Sequence, residues 1–314
     1  MCATCGCGQG DRRIEGMPGP HDQVHAGAHH HDDAHAHDHA AADPPADAPG
    51  HTHTHADGTT YPHLHLHTHA DGTTHAHPHS HDGHTHDGGA FDGARLVSVE
   101  RDLLARNNAV AEENRRRFQA ARTLVLNLVS SPGSGKTALL VETLRRIGEK
   151  HPVAVIVGDQ ETTADADRIR ATGAPAIQIN TGKGCHLDAD LVRGAMTRLG
   201  APPNGILFIE NVGNLVCPAG FDLGEAHKVV IVSVTEGEDK PLKYSGMFAA
   251  ADLMVVTKTD LLPHLDFDVG RLIDNARRVH PGIAVLKVSA KTGDGMDRWL
   301  QWLEAARTLR LAAD

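Results

Sequence analysis

The stretch Thr123–Thr137, TLVLNLVSSPGSGKT, limits what this chain can fold into more than any other. Leu124, Val125, Leu126, Leu128 and Val129 make an apolar, β-prone run of strand length. Ser130–Gly135 then turns the chain, and Lys136-Thr137 opens a helical pattern carried by Ala138, Leu139, Leu140, Leu144 and Ile147. Strand, glycine-rich turn and helix start, in that order, are the context a phosphate-binding loop requires. Backbone N–H groups of such a turn converge on an anion at the positive end of the helix dipole. Gly133 and Gly135, on either side of Ser134, let the backbone come close, because a Cβ would collide or forbid positive φ. Lys136 is expected to reach the β- and γ-phosphates, and the Thr137 hydroxyl to sit on Mg²⁺. Ser130 stands where the pattern G-x-x-x-x-G-K-[ST] has its first glycine. The chain is expected to bind a nucleoside triphosphate.

Of the 314 residues, the first ~95 do not read as a fold. The chain has 26 histidines, and 21 of them lie between His21 and His86, among Asp, Gly, Pro and Thr. Such a segment buries too little apolar surface to offset its ordering entropy, so disorder is expected over 8–94. It repeats H-x-H units, and HTHADGTT occurs at His53–Thr60 and again at His67–Thr74. With pKa near 6.5, imidazoles such as His29, His30, His31, His53, His55, His67 and His69 are neutral and ligand-competent at neutral pH. The tract is expected to hold several weakly bound divalent ions and to release them on acidification. A solvated linker is the bland alternative. A net charge of −10 argues against non-specific nucleic-acid binding. No membrane span or secretory leader is expected, and cytoplasm is the default compartment.

Met1–Cys7 reads MCATCGC. Its spacing lets Cys2 and Cys5 meet one ion, and Gly6 turns the chain to bring in Cys7. Three thiolates with an amine nitrogen suit Zn²⁺, or Ni²⁺ in square-planar geometry. A redox pair is the alternative, although such pairs sit beside a βαβ pattern.

From residue 95 to 314 the chain reads as one α/β domain, a doubly wound, mostly parallel sheet flanked by helices of the P-loop NTPase type. Ser98–Ala121 has a loose helical stripe of Val99, Leu103, Leu104, Val110, Ala111, Asn114 and Phe118, read as an edge helix. Strands are expected at Val153–Asp159, Ala176–Asn180, Gly205–Glu210, Val229–Val234, Asp252–Val256 and Ile283–Val288, with a closing helix at Met296–Leu309. Asp159 and Glu210 both end strands where ligands of α/β sheets lie, and either is a candidate Mg²⁺ carboxylate. Asp165 and Asp167 read as exposed helix-start charges. Cys185 and His186 are adjacent and cannot readily chelate an ion alone; Cys217, seven residues after Glu210, is the obvious third ligand. Thr257-Lys258-Thr259-Asp260 is similar to the guanine-reading N-K-x-D, with Asp260 accepting from guanine N1–H and the 2-amino group and the Lys258 stem covering the ring. Ser289-Ala290-Lys291 is similar to the S-A-K loop that supports guanine O6. Their order after the phosphate loop favours GTP over ATP.

Taken together, MCATCGC, the histidine tract, SSPGSGKT, GDQET, NTGKGCHLDA, IENVGNLVCPA, TEGEDKPLKY and T-K-T-D resemble the hydrogenase nickel-incorporation GTPases of the HypB family. The likeness covers Arg95–Asp314 and the N-terminal tip. It implies a slow GTPase and nickel metallochaperone serving [NiFe]-hydrogenase, with maturation proteins and the hydrogenase large subunit as partners. It also implies a high-affinity nickel site at Cys2, Cys5 and Cys7, and a second site for Ni²⁺ or Zn²⁺ at Cys185, His186 and Cys217, at a GTP-dependent homodimer interface. The histidine tract corresponds to the family's storage segment. Thr257 stands where the family has Asn, which implies weaker loop bracing and reduced guanine affinity. Two rivals are a urease-type nickel accessory GTPase, disfavoured because Ala219 follows Cys217-Pro218, and a nickel store with a vestigial GTPase. No residue stands out as the group that positions the attacking water.

Overall fold

In the computed structural model the described residues are 13–15, 93–160 and 162–312, with four short strands inside the histidine tract. Cys2, Cys5, Cys7, His29, His30, His31, His55 and His69 lie outside them. The chain forms two units, one from Gly93–Asp314 with the strand at 13–14, the other within Ala26–Asp92. In the second unit His51–Thr54 pairs antiparallel with Thr60–His63, and His67–Thr68 with Thr74–His75. Thr54 faces Thr60 and Thr68 faces Thr74, so both copies of HTHADGTT close at the same register. Alternating β-branched threonines favour that pairing.

The main unit is an eight-stranded sheet. Its strands are β1 (Arg13–Ile14), β2 (Leu124–Ser130), β3 (Val153–Asp159), β4 (Ala176–Asn180), β5 (Ile206–Gly213), β6 (His227–Ser233), β7 (Leu253–Thr257) and β8 (Ala284–Lys287). They lie in the order β1-β4-β3-β5-β2-β6-β7-β8. All neighbours are parallel except β1, which is antiparallel to β4. From β2 the chain crosses to β3 on one side, and from β6 to β7 on the other. The carboxyl end of β2 therefore sits at a topological switch point, where α/β sheets bind ligands.

The buried strands read as continuous apolar runs because helices cover both faces. Side chains of β2 alternate: Leu124, Leu126 and Leu128 pack with Leu139, Leu140 and Leu144 of α2 (Lys136–Ile147) and with Trp299 and Leu303 of α8 (Met296–Ala312). Val125 faces the opposite core with Phe118 of α1 (Gly93–Ala120) and Val192 and Ala195 of α4 (Ala189–Leu199). Trp299 Nε1 donates to Thr143 Oγ1 at 2.8 Å, which ties the last helix to the phosphate-loop helix. The remaining helices are α3 (Ala164–Arg170), α5 (Lys240–Lys243), α6 (Ser245–Ala250) and α7 (Val269–Val279).

The stripe on α1 differs from the one the sequence suggested. Its buried positions are Asn107, Ala111, Asn114 and Phe118, whereas Leu103 is 47% exposed. Two amides replace apolar side chains because the helix grips backbone. Asn107 Oδ1 accepts from Ala189 N at 2.9 Å, and Asn114 Nδ2 donates to Ala189 O at 2.8 Å and Leu223 O at 3.1 Å. Both groups of Ala189, the first residue of α4, are thus satisfied by side chains from a distant helix.

Candidate functional site

Burial of β2 drives the phosphate loop to the carboxyl edge of the sheet, and the turn that follows fits its sequence. Gly133 and Gly135 have φ of 72° and 95°. An added Cβ at Gly133 would meet nothing within 4 Å, so the left-handed backbone itself calls for glycine there. Lys136 and Thr137 open α2 and are buried. The loop lines a cavity of about 430 Å³ together with Gly158, Asp159, Gln160, Asp165, Arg168 and residues 210–213.

Ser130, in place of a glycine, is fully buried and holds the lysine: Lys136 Nζ donates to its Oγ at 2.7 Å, while the hydroxyl donates to Ser131 O at 2.7 Å. Burial lowers the Lys136 pKa against the opposing pull of Glu210. Glu210 does not end its strand as expected, since β5 runs on to Gly213; from inside that strand it accepts from Thr137 Oγ1 at 2.6 Å. Its second oxygen, Oε2, is buried with no hydrogen-bond partner, and so is Ser134 Oγ. An orphaned carboxylate oxygen beside a threonine hydroxyl is an oxygen donor set that suits Mg²⁺. Asp159 is engaged locally, accepting from Gln160 N at 2.6 Å and Thr162 Oγ1 at 2.9 Å. Of the two candidate carboxylates, Glu210 is the one bonded to Thr137.

Burial pushes the Glu210 carboxyl from its ordinary 4.5 up to about 7, with the Lys136 ammonium and the Thr137 hydroxyl opposing. A raised carboxyl pKa favours the protonated form in the fold. Its contribution to stability is complete below pH 4.5 and is lost as pH rises through about 7. The swing is about 3 kcal/mol, at ~1.4 kcal/mol per unit. Thermal unfolding of nucleotide-free protein in a chelator should therefore show a smaller loss of stability from pH 5 to pH 8 for Glu210→Gln than for wild type. Equal losses would show that this carboxyl is not the group titrating.

The base-reading segments approach the same loop. Thr257 Oγ1 donates to Ser134 O at 2.6 Å, so the hydroxyl supplies a brace to the phosphate loop despite the absence of asparagine. Lys258, at φ 58°, lays its stem across the loop and donates from Nζ to Gly133 O at 2.7 Å. Ser289 Oγ donates to Asp260 Oδ1 at 2.7 Å, which joins the two segments. Ala290 is half-buried beside them and Lys291 is exposed. Lys240, from TEGEDK, donates to Ser131 Oγ at 2.8 Å and pairs with Glu236 at 3.0 Å.

On the far side of β5 the ligand atoms of Cys185, His186 and Cys217 all lie within 4.8 Å of one another. A tetrahedral thiolate site separates its sulfurs by about 3.8 Å, so only a small contraction is needed. His186 is 2% exposed and packs against Phe221 with tilted rings, their centroids 4.0 Å apart. Two sulfurs and an imidazole suit Ni²⁺ or Zn²⁺, and three ligands leave a coordination position open.

Several contributors escape a reading of the sequence. Asp165 is the half-exposed helix-start charge that was expected, but it also lines the phosphate cavity and pairs with Arg168 at 3.1 Å. Asn211 Oδ1 accepts from Leu187 N at 3.1 Å and Val212 N at 3.0 Å, and its Nδ2 donates to Asn127 Oδ1 at 3.2 Å. Asn214 Nδ2 donates to Cys185 O at 3.2 Å, and its Oδ1 accepts from Val216 N at 2.8 Å. Buried Lys228 donates to Pro218 O at 3.1 Å and Phe221 O at 3.2 Å, fixing the turn that carries Cys217. Only the pairing of asparagines with a glycine in ENVGN hinted at such backbone-holding side chains.

The CobW/HypB/UreG nucleotide-binding domain family matches residues 124–287. Hydrogenase maturation factor HypB of Escherichia coli K12 is 53% identical over 98% of this chain and 99% of its own length. The chain belongs to the HypB family. The HypB of Azotobacter vinelandii is 64% identical over 70% of this chain and 73% of its own. A crystal structure of Helicobacter pylori HypB in complex with nickel superposes with a TM-score of 0.62 at 37% identity, covering 66% of this chain and 97% of that one. Membership of the HypB family fits the nucleotide-binding fold. Among the described residues no helix is long and apolar enough to cross a membrane.

Proposed function

We propose that the chain is a GTP-hydrolysing nickel metallochaperone that stores nickel and assists its insertion into [NiFe]-hydrogenase, working in the cytoplasm as a GTP-dependent homodimer. In this reading residues 1–7 are a metal motif, 8–94 a metal-holding tract and 95–314 the GTPase domain. Lys136 and the loop amides of Gly133, Ser134 and Gly135 position and neutralise the phosphates, and Thr137 with Glu210 would hold Mg²⁺. When bound, that ion supplies charge neutralisation on the phosphate oxygens. Asp260, Lys258 and the Ser289–Lys291 loop read guanine. Cys185, His186 and Cys217 take Ni²⁺ or Zn²⁺.

One observation carries this reading. A single short stretch connects the two chemistries: Glu210 bonds Thr137, while Asn211 and Asn214 hold the backbone of Leu187 and Cys185. Gly213 lies against the phosphate loop, where an added Cβ would come within 3.0 Å of Pro132. Any displacement of β5's end by the terminal phosphate is thereby passed to the thiolate and imidazole.

The test is a nickel titration of a Cys2/Cys5/Cys7→Ala variant carrying GDP or a non-hydrolysable GTP analogue. Affinity at the remaining site should differ by at least about fivefold between the two nucleotides, the low end of ordinary coupling energies. Equal affinities would remove the coupling, and absence of binding would remove the metal site.

A further inference from the structure

Three adjacent strands, β5, β2 and β6, carry polar side chains in otherwise apolar runs, and these join with Glu225 into one buried chain. We infer that Lys228, Glu225, Asn127 and Asn211 are positioning residues that lock two ligand arms to one another, the arm of Cys185-His186 and the arm of Cys217. The inference rests on the functional reading above, in which those three ligands form a metal site.

Asn127 is the joint of the chain. It interrupts the apolar run of β2 and is wholly buried. Its partner across the ladder to β6 is Lys228, and toward β5 it is Ile209, two residues before Asn211. Asn127 Nδ2 donates to Glu225 Oε1 at 3.0 Å, and that oxygen lies 3.7 Å from Lys228 Nζ. On its other side Asn127 Oδ1 accepts from Asn211 Nδ2 at 3.2 Å. The register of β2 on β5 shifts between Leu128 and Ser130, beside Asn211. Irregularities of that kind re-aim side chains next to functional sites.

Each end of the chain grips backbone next to a ligand. Lys228 Nζ donates to Pro218 O at 3.1 Å, one residue past Cys217, and to Phe221 O at 3.2 Å. Asn211 Oδ1 accepts from Leu187 N at 3.1 Å, one residue past His186. The rings of His186 and Phe221, 4.0 Å between centroids, bring the two arms together directly. The contacts therefore close on themselves, from one arm through the sheet to the other arm and back through the rings. Neither arm can shift against the other without breaking a buried hydrogen bond.

Stability alone does not account for such a chain. Burial pushes the Glu225 carboxyl up, against the pull of Lys228 and the Asn127 bond. Apolar residues of similar volume commonly serve a fold as well as a buried ion pair does. What a satisfied polar chain adds is one defined arrangement of the groups it joins. Every polar atom of the four side chains has a partner, Glu225 Oε2 accepting from Leu223 N at 2.6 Å. Groups one step removed from metal ligands commonly change affinity by about tenfold to a hundredfold.

The test uses the full chain in a Cys2/Cys5/Cys7→Ala background, where thiolate-to-nickel absorption reports Cys185 and Cys217 and the imidazoles of the histidine tract add no such band. Nickel is titrated into Asn127→Leu, Lys228→Met and the double variant. GDP affinity monitors folding, and hydrogen exchange is read at the Leu187 amide. Each single variant should lose at least about tenfold in nickel affinity with GDP affinity unchanged. The double variant should lose no more than about threefold beyond the weaker single one, since members of one network do not add. Lys228→Met should also speed exchange at Leu187, which Lys228 does not touch. Unchanged nickel affinity in Lys228→Met, multiplied losses in the double variant, or unchanged exchange at Leu187 would each overturn the lock. Should Asn127→Leu fail to bind GDP, Lys228→Met decides through nickel affinity and exchange. If the background protein shows no thiolate-to-nickel band, it is the functional reading that fails, and exchange at Leu187 still decides whether the two arms are joined.

Discussion

Lys136→Ala is expected to reduce GTP hydrolysis by at least about two to three orders of magnitude, the loss typical of removing one preorganised charge-stabilising group. The lysine is buried at the start of α2, and Ser130 Oγ orients its ammonium at 2.7 Å before any phosphate arrives. Burial already lowers its pKa, so the folded protein holds a costly cation in place whose natural counter-charge is the triphosphate. Lys136→Arg should fail nearly as badly, because a planar guanidinium cannot occupy the space of a compact ammonium on a flexible stem. Steady-state hydrolysis, with nucleotide affinity measured by fluorescent GDP displacement, checks both variants. Turnover within threefold of wild type in Lys136→Ala would rule out the assignment.

Asp260→Asn is expected to exchange guanine for xanthine as the preferred base. In the proposed reading the carboxylate would accept from two guanine donors, N1–H and the 2-amino group, and Ser289 Oγ fixes its orientation through a 2.7 Å bond. An amide turns one acceptor into a donor that faces the guanine 2-amino group and leaves a buried donor pair unsatisfied. Sites built to hydrogen-bond a particular group reject its substitute by large factors, so GTP affinity should fall at least about a hundredfold. Xanthosine triphosphate, with a 2-oxo group, should regain most of that loss. Competition between the two nucleotides for each protein is the measurement, and retention of GTP preference by Asp260→Asn would show that another group reads the base.

The fold was legible wherever burial on both faces writes itself as an apolar run. Val153–Asp159 and Ala176–Asn180 are strands with the boundaries their sequences suggested, and β2 differs by a single residue. The grouping of the candidate site was legible where chemistry dictates residue type: Thr137 and Glu210 meet, and so do Cys185, His186 and Cys217. What stayed hidden was the work of short polar side chains holding backbone. Asn107 and Asn114 look like defects in a helical stripe, and Asn211 looks like any loop amide, because the groups they satisfy lie tens of residues away. Asp165 followed the general habit of acidic residues in a first helical turn, and its place in the phosphate cavity depends on how α3 packs, which no local pattern encodes. Thr257 shows that a departure from a motif need not remove every bond to the loop, since the threonine hydroxyl reaches Ser134 O at 2.6 Å.

The bond from Trp299 to Thr143 joins two elements that a ribosome makes far apart in time. The helix beginning at Lys136 is made first, whereas the indole that locks it comes 156 residues after Thr143, and Ser289, which holds Asp260, comes shortly before that indole. A nascent or prematurely terminated polypeptide would therefore carry the phosphate loop without the pieces that close it. Nucleotide capture would thus wait until synthesis has passed Trp299.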